Sequence, residues 1–115
     1  MDSPRVEIIN LTRSCNEALI LTLLREGPMH GYQLAFECEQ RGGSLFAFKH
    51  GTLYPILHKL EKEGLIRGIW SDEGPRGKRK CYTLTDRGER YAASQRESWR
   101  EFITQFLGII GKEGE

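Results

Sequence analysis

In the stretch Gly51-Thr-Leu-Tyr-Pro-Ile-Leu-His-Lys-Leu-Glu-Lys-Glu-Gly-Leu65, the apolar residues Leu53, Ile56, Leu57 and Leu60 recur at i, i+3, i+4 and i+7. That spacing marks one face of an α-helix. Pro55 lacks an N–H, which places it in the first turn, where donors have no intrahelical partner. The helix is therefore expected to start near Gly51 or Thr52, with Thr52 as cap, and to stop at Gly64. At about 100° per residue, the face opposite the leucines carries Gly51, Pro55, His58 and Lys62, flanked by Tyr54 and Lys59. This face is small at its start, then aromatic and cationic. Glu61 and Glu63 oppose it only at the far end. Such a face is suited to a nucleic-acid groove, although an ordinary solvated amphipathic helix has the same period.

Charge follows the same centre. The 115 residues carry a net charge of +1. Between Lys49 and Lys80, however, eight Lys/Arg stand against four Asp/Glu, and the remainder of the chain is net acidic. A local basic patch on a near-neutral chain points to nucleic-acid contact more than to general adhesion. The length suggests one domain with a modest core. Met1-Asp2-Ser3-Pro4 does not open a signal peptide, and no apolar run approaches the ~20 residues of a membrane span. Cys15, Cys38 and Cys81 are widely spaced without a CxxC pair, so neither a disulfide framework nor a zinc site is expected, and the expected setting is a reducing cytoplasm.

Upstream of the central helix the reading gives two more helices. Met1 to about Thr12 is a short lead with Val6, Ile8, Ile9 and Leu11. Ser14 to Glu26 forms a helix with a broad apolar face (Ala18, Leu19, Leu23 and their neighbours). Ser14 and Glu17 have capping-box spacing, and Gly27-Pro28 ends the helix. His30-Gly31-Tyr32 opens a second helix that runs to about Gln40, with Tyr32, Leu34, Ala35 and Cys38 inward. Arg41 to Ser44 breaks it, and Leu45, Phe46 and Phe48 form an apolar connector.

Beyond Gly64 the period shortens to two. Ile66–Ser71 reads as a strand, 72–77 as a turn and Lys78–Leu84 as the return strand. Arg76, Lys78, Arg79 and Lys80 put four cations within five residues of this hairpin. They would repel one another unless solvated or facing phosphates. Thr85-Asp86 caps a last helix of more than two dozen residues, reaching about Ile110. Its first half is polar. Its second half carries Trp99, Phe102, Ile103, Phe106, Leu107, Ile109 and Ile110. Ala92, Trp99 and Phe106 fall seven apart, the spacing of a helix–helix seam. A body this small cannot cover so long a stripe, which predicts a second copy against it.

The expected architecture is mostly α with a small β-hairpin: a winged helix-turn-helix over residues 1–84 and a long C-terminal dimerisation helix over 85–115. Gly27-Pro-Met-His-Gly-Tyr-Gln-Leu34, the Gly51–Ile66 block and Lys80-Cys-Tyr-Thr-Leu-Thr-Asp-Arg-Gly88 together resemble the PadR family of bacterial transcriptional regulators, and its short subgroup with one C-terminal helix. The resemblance covers roughly residues 14 to 107. It implies a homodimer that binds a double-stranded DNA operator, acting as a repressor released by a small-molecule or stress signal. It implies DNA contacts at Thr52, Tyr54, Pro55, His58 and Lys59, and on the wing at Arg76, Lys78, Arg79 and Lys80. It implies dimer contacts on the last helix. Trp99 is expected first to pack in the dimer interface with Phe102, Ile103 and Phe106; the alternative is a gap beside it that holds a flat aromatic effector, in line with relatives in which an aromatic on this helix lines a ligand cleft.

Other residues receive structural assignments. His30 has a local role beside Gly31, Tyr32 and Tyr82 belong to the core, and Trp70 packs under the wing. His50, His58 and Cys38 lack metal-ligand spacing. Neither an acid–base pair, a nucleophile triad nor a phosphate loop is present, so no enzyme, cofactor or metal is expected. The competing function is a winged-helix module for protein partners, which would have no need of the cations at the hairpin tip. Cys81, next to Arg79 and Lys80, is the thiol with the best case for redox sensing.

Overall fold

The computed structural model describes residues 15–43, 50–71 and 79–111. The N-terminal lead, Ser14, the Leu45–Phe48 connector and the hairpin tip with Arg76 and Lys78 lie outside the described residues, as do 112–115. Helix α1 is described over 15–24 and buries Ala18, Ile20, Leu21, Leu23 and Leu24. Its end tightens through i→i+3 bonds, and Gly27 takes a positive φ of 146° that a side chain would resist.

Strand β1 is only Met29–His30, and helix α2 follows at once over Gly31–Gly42. The His30 N–H donates to Gln33 Oε1 at 2.8 Å, which closes the first turn of α2. Helix α3 spans His50–Lys62, strand β2 Ile66–Ser71, strand β3 Arg79–Leu84 and helix α4 Asp86–Ile110. The strands form one antiparallel sheet in the order β1-β3-β2.

The leucine face of α3 turns inward as its spacing predicts. Leu53, Leu57 and Leu60 are buried with Leu21, Leu24 and Leu34 from the first two helices, and with Ile66, Tyr82 and Ala92. Each such large side chain contributes about 1.5–3 kcal/mol by leaving water. Gly64 ends α3 at φ 78°. The Leu65 N–H donates to the Leu60 carbonyl and the Gly64 N–H to the Glu61 carbonyl, both at 3.0 Å. This glycine-ended pattern satisfies two carbonyls that the helix leaves open.

Thr85 caps α4 as expected: its Oγ1 accepts from the Gly88 N–H at 3.0 Å and donates to the Gly64 carbonyl at 2.7 Å. Gly88 is buried against Leu65, where an added Cβ would stand 1.8 Å from the Leu65 carbonyl oxygen. The first turns of α4 are thus locked to the corner between α3 and β2. Beyond Ala92 no α4 residue is buried, and residues 100–111 are all exposed. A helix of 25 residues is about 37 Å long. Much of α4 therefore projects from the body, and the described residues extend 57 Å along their long axis.

Four expectations change. The apolar period fixes the face of α3 but not its start: the helix already includes His50, so Pro55 lies in the second turn and Thr52 is internal, not the cap. The Gly51 carbonyl forgoes its intrahelical donor there. Tyr32 is 53% exposed, because its phenol accepts from the Arg79 guanidinium at 3.0 Å at the surface. Trp70 is 62% exposed and not packed beneath the hairpin: it lines an open groove, with the Lys80 ammonium 5.6 Å from its ring centre. The expected two-stranded hairpin is joined by a third strand, β1, which was not anticipated because a two-residue strand has no period to detect. Among the described residues, no helix is long and apolar enough to cross a membrane.

Candidate nucleic-acid interface

The outward face of α3 presents Tyr54, Pro55, His58 and Lys59, with Thr52 half-buried at its edge. Tyr54 is seated by the chain beneath it. A Cβ on Gly31 would lie 3.0 Å from the Tyr54 hydroxyl and 3.1 Å from its ring. A side chain at the start of α2 would push the phenol back by a few tenths of an ångström, so the glycine lets it lie close to that backbone. The helix–glycine contact therefore sets the direction of Tyr54.

The hairpin faces the same space. Successive side chains of a strand alternate between faces, so Gly68 and Trp70 on β2 share one face with Lys80 and Tyr82 on β3. Together with α3 and the start of α2, they enclose an open groove of about 930 Å³. His30, Tyr32, Tyr54, His58, Trp70 and Arg79 are among its walls. The imidazole of His30 stacks on Tyr32 at 5.5 Å, and the Arg79 guanidinium carbon lies 5.3 Å from the same phenol ring. Planar groups and a guanidinium along one groove are the chemistry that grips phosphates and base edges.

The expected cations do not all behave alike. Lys59 Nζ binds Glu17 Oε2 on α1 at 2.6 Å, which raises its pKa. Lys80 Nζ binds Glu61 Oε1 at 2.8 Å, and that hydrogen bond raises its pKa too. Arg79 is held instead by the neutral phenol of Tyr32. Among the described residues, no carboxylate pairs with it. Glu17 and Glu61 were not readable as partners, because each sits on a different element from its lysine. His30, Tyr32 and Trp70 were also missed as groove residues. Their only advance signal was aromatic character beside the Gly31 turn and on the hairpin.

A second cleft, of about 450 Å³, lies between α4 and the α1–α2 pair. Trp99 and Ile103 line it with Cys15, Leu19, Leu23 and Cys38. Phe102 and Phe106 are not among its walls. They stack on each other at 5.7 Å, and Phe102 meets Trp99 edge-on at 5.8 Å. The four residues expected to act together thus divide between a cleft and an exposed aromatic row. Burial pushes the Cys38 thiol up to about 11 and raises Cys15 as well. Neither is poised as a thiolate.

The sequence profile of the transcriptional regulator PadR-like family matches residues 20–94. A transcriptional regulator of Mycobacterium tuberculosis is 30% identical over 89 residues, covering 77% of this chain and 79% of that protein. The negative transcriptional regulator PadR of Bacillus subtilis is 38% identical over 71 residues, covering 62% of this chain but only 39% of that longer protein. The crystal structure of a PadR family transcriptional regulator from Eggerthella lenta superposes with a TM-score of 0.77 at 28% identity, covering 95% of this chain and 92% of that one.

Proposed function

Because the chain belongs to the PadR-like family of transcriptional regulators, we propose that it works in the cytoplasm as a homodimeric repressor that a small molecule releases from its operator. The observation that carries this reading is the single groove shared by α3 and the hairpin. Tyr54, Pro55 and His58 line it from the helix, and Arg79 lines it from the wing. In this reading α3 enters the major groove, its Thr52–Lys59 segment meets base edges and phosphates, and the wing, with Arg76, Lys78 and Arg79, follows the neighbouring backbone. The exposed stripe of α4 supports the dimer. Phe102, Phe106, Leu107 and Ile110 are about half exposed, and Ile109 is 81% exposed, a continuous apolar surface that a second α4 would cover. The Trp99 cleft supports a flat effector with an apolar body, since Leu19, Leu23, Trp99 and Ile103 line it together with Glu37, Arg41, Arg96 and Arg100. The negative sign of regulation follows the name of the Bacillus subtilis relative.

The test is a fluorescence-anisotropy titration of operator DNA and of a scrambled duplex with the full chain. Tyr54→Ala and His58→Ala should each lower operator affinity by about 1–3 kcal/mol, the worth of a base contact, with a smaller effect on the scrambled duplex. Equal losses on both duplexes would reduce these residues to backbone contacts. No loss on either would remove α3 from the interface.

A further inference from the structure

Lys80 reaches across its own hairpin. Trp70 is its register partner on β2, and Gly68 pairs with Tyr82 one step along the same face. A Cβ placed on Gly68 would lie 2.3 Å from Lys80 Cε, 3.2 Å from Lys80 Cδ and 3.2 Å from Glu61 Oε2. The lysine stem therefore runs directly over the bare backbone of Gly68 to reach Glu61 on α3. At the end of that path, its ammonium lies 2.8 Å from Glu61 Oε1 and 5.6 Å from the ring centres of both Trp70 and Tyr82. The pair is part-buried, with side-chain exposures of 25% for Lys80 and 30% for Glu61. A lysine that served a phosphate would keep its ammonium in water. This one is engaged by a carboxylate and two aromatic faces from three elements.

We propose that Lys80, Glu61 and Gly68 form a strut that fixes the angle between the wing and the recognition helix, so that Lys80 is a positioning residue and not a phosphate contact. The inference rests on the DNA-binding reading above and refines it. The two roles predict opposite signs. Removing the negative charge of Glu61 beside a DNA groove should tighten binding if Lys80 is free to meet phosphate. If the strut sets the wing, the same change loosens the fit to the operator. Gly68→Ala separates geometry from charge: it displaces the flexible lysine stem while leaving every charge in place.

The experiment measures operator and scrambled-duplex affinity over a salt series for wild type, Glu61→Gln, Lys80→Met, Gly68→Ala and the exchanged pair Glu61→Lys/Lys80→Glu. Thermal melts confirm that each variant is folded. Glu61→Gln and Gly68→Ala should each weaken operator binding roughly three- to tenfold, in the lower part of the range of coupling between contacting residues, with little change on the scrambled duplex. The salt slope of Lys80→Met should match wild type, and the exchanged pair, which restores the ion pair but sets a carboxylate beside two aromatic rings, should recover only part of the affinity lost in Glu61→Gln. Operator binding by Glu61→Gln as tight as wild type would overturn the strut. So would a salt slope for Lys80→Met about one unit shallower, the signature of a lost phosphate contact. Hydrogen exchange of the free protein reads the same strut without DNA. Amides of β2 and β3 should exchange faster in Glu61→Gln and Gly68→Ala than in wild type, and unchanged exchange would overturn the proposal. A wild-type chain that binds no duplex would instead refute the DNA-binding reading, and the exchange data would still decide the strut.

Discussion

Gly88→Ala should destabilise the protein although it improves a helix. In an exposed helical position the change gains about 1 kcal/mol. At Gly88 the new methyl would stand 1.8 Å from the Leu65 carbonyl oxygen and 2.8 Å from its carbon, both backbone atoms that cannot swing aside. Reaching ordinary contact requires α4 and the Leu65 corner to part by about 1.5 Å. That separation strains the Thr85 N–H bond to the Leu65 carbonyl at 3.1 Å and the Thr85 Oγ1 bond to the Gly64 carbonyl at 2.7 Å. Overpacking costs about 1–3 kcal/mol and each weakened hydrogen bond about 0.5–1.5 kcal/mol. After the helical gain is subtracted, the net loss should be about 1–5 kcal/mol, centred near 3. In urea unfolding at one fixed protein concentration, the midpoint should fall by roughly 1–2 M with an unchanged m-value. Gly108→Ala is the control, because its methyl meets nothing within 4 Å in the subunit, and it should be neutral or mildly stabilising. Because α4 leaves the body at this corner, Gly88→Ala should also lower operator affinity by tilting the two halves of the proposed dimer. A Gly88→Ala protein as stable as Gly108→Ala would refute the locked corner.

Three further outcomes follow from other parts of the molecule. Phe106→Glu places a charge in the exposed apolar row of α4 and should convert a dimer to monomers in sedimentation at micromolar concentration without unfolding the subunit; an unchanged dimer would locate the interface elsewhere. Cys38, buried with a thiol near 11, should resist alkylation at pH 8 in the native protein and react only on unfolding, whereas rapid native labelling would contradict its burial. Glu26 is held below the usual carboxylate range by the Arg41 guanidinium, which it meets through two bonds of 2.6 Å. A lowered folded pKa contributes stability that is present above the unfolded carboxyl value and lost as pH falls through the native one. The difference in melting temperature between wild type and Glu26→Gln should therefore shrink on acidification below about pH 4, and a constant difference would contradict the pair.

How far the chain could be read in advance depended on whether a feature is local. The inward leucines of α3, the Gly64 stop, β2 and the Thr85 cap are written in period, glycine position and neighbouring hydroxyls, and all were legible. The start of α3 was not, since a helical period shows a face and leaves its first turn undefined. Tyr32 and Trp70 were misplaced because aromatic character favours burial in general, while their exposure depends on which elements happen to cover them. The groove face of α3 was predictable from the opposite side of the leucines. The partners of its cations were not, because Glu17 and Glu61 approach Lys59 and Lys80 only once α1 and the hairpin have packed. The same holds for Gly31 and Gly68, whose purpose lies in the side chains that cross them.

The central claim is that two copies of this chain read one operator through paired α3 helices. A footprint on the DNA upstream of the protein's own coding region, combined with stoichiometric titration, tests it most directly. Dimeric helix-turn-helix proteins address half-sites about one helical turn apart, roughly 34–36 Å. Protection of one pseudo-palindromic site with that spacing, at two chains per duplex and lost in Tyr54→Ala, is the predicted result. Protection no stronger than on a scrambled duplex, or saturation at one chain per site, would contradict it.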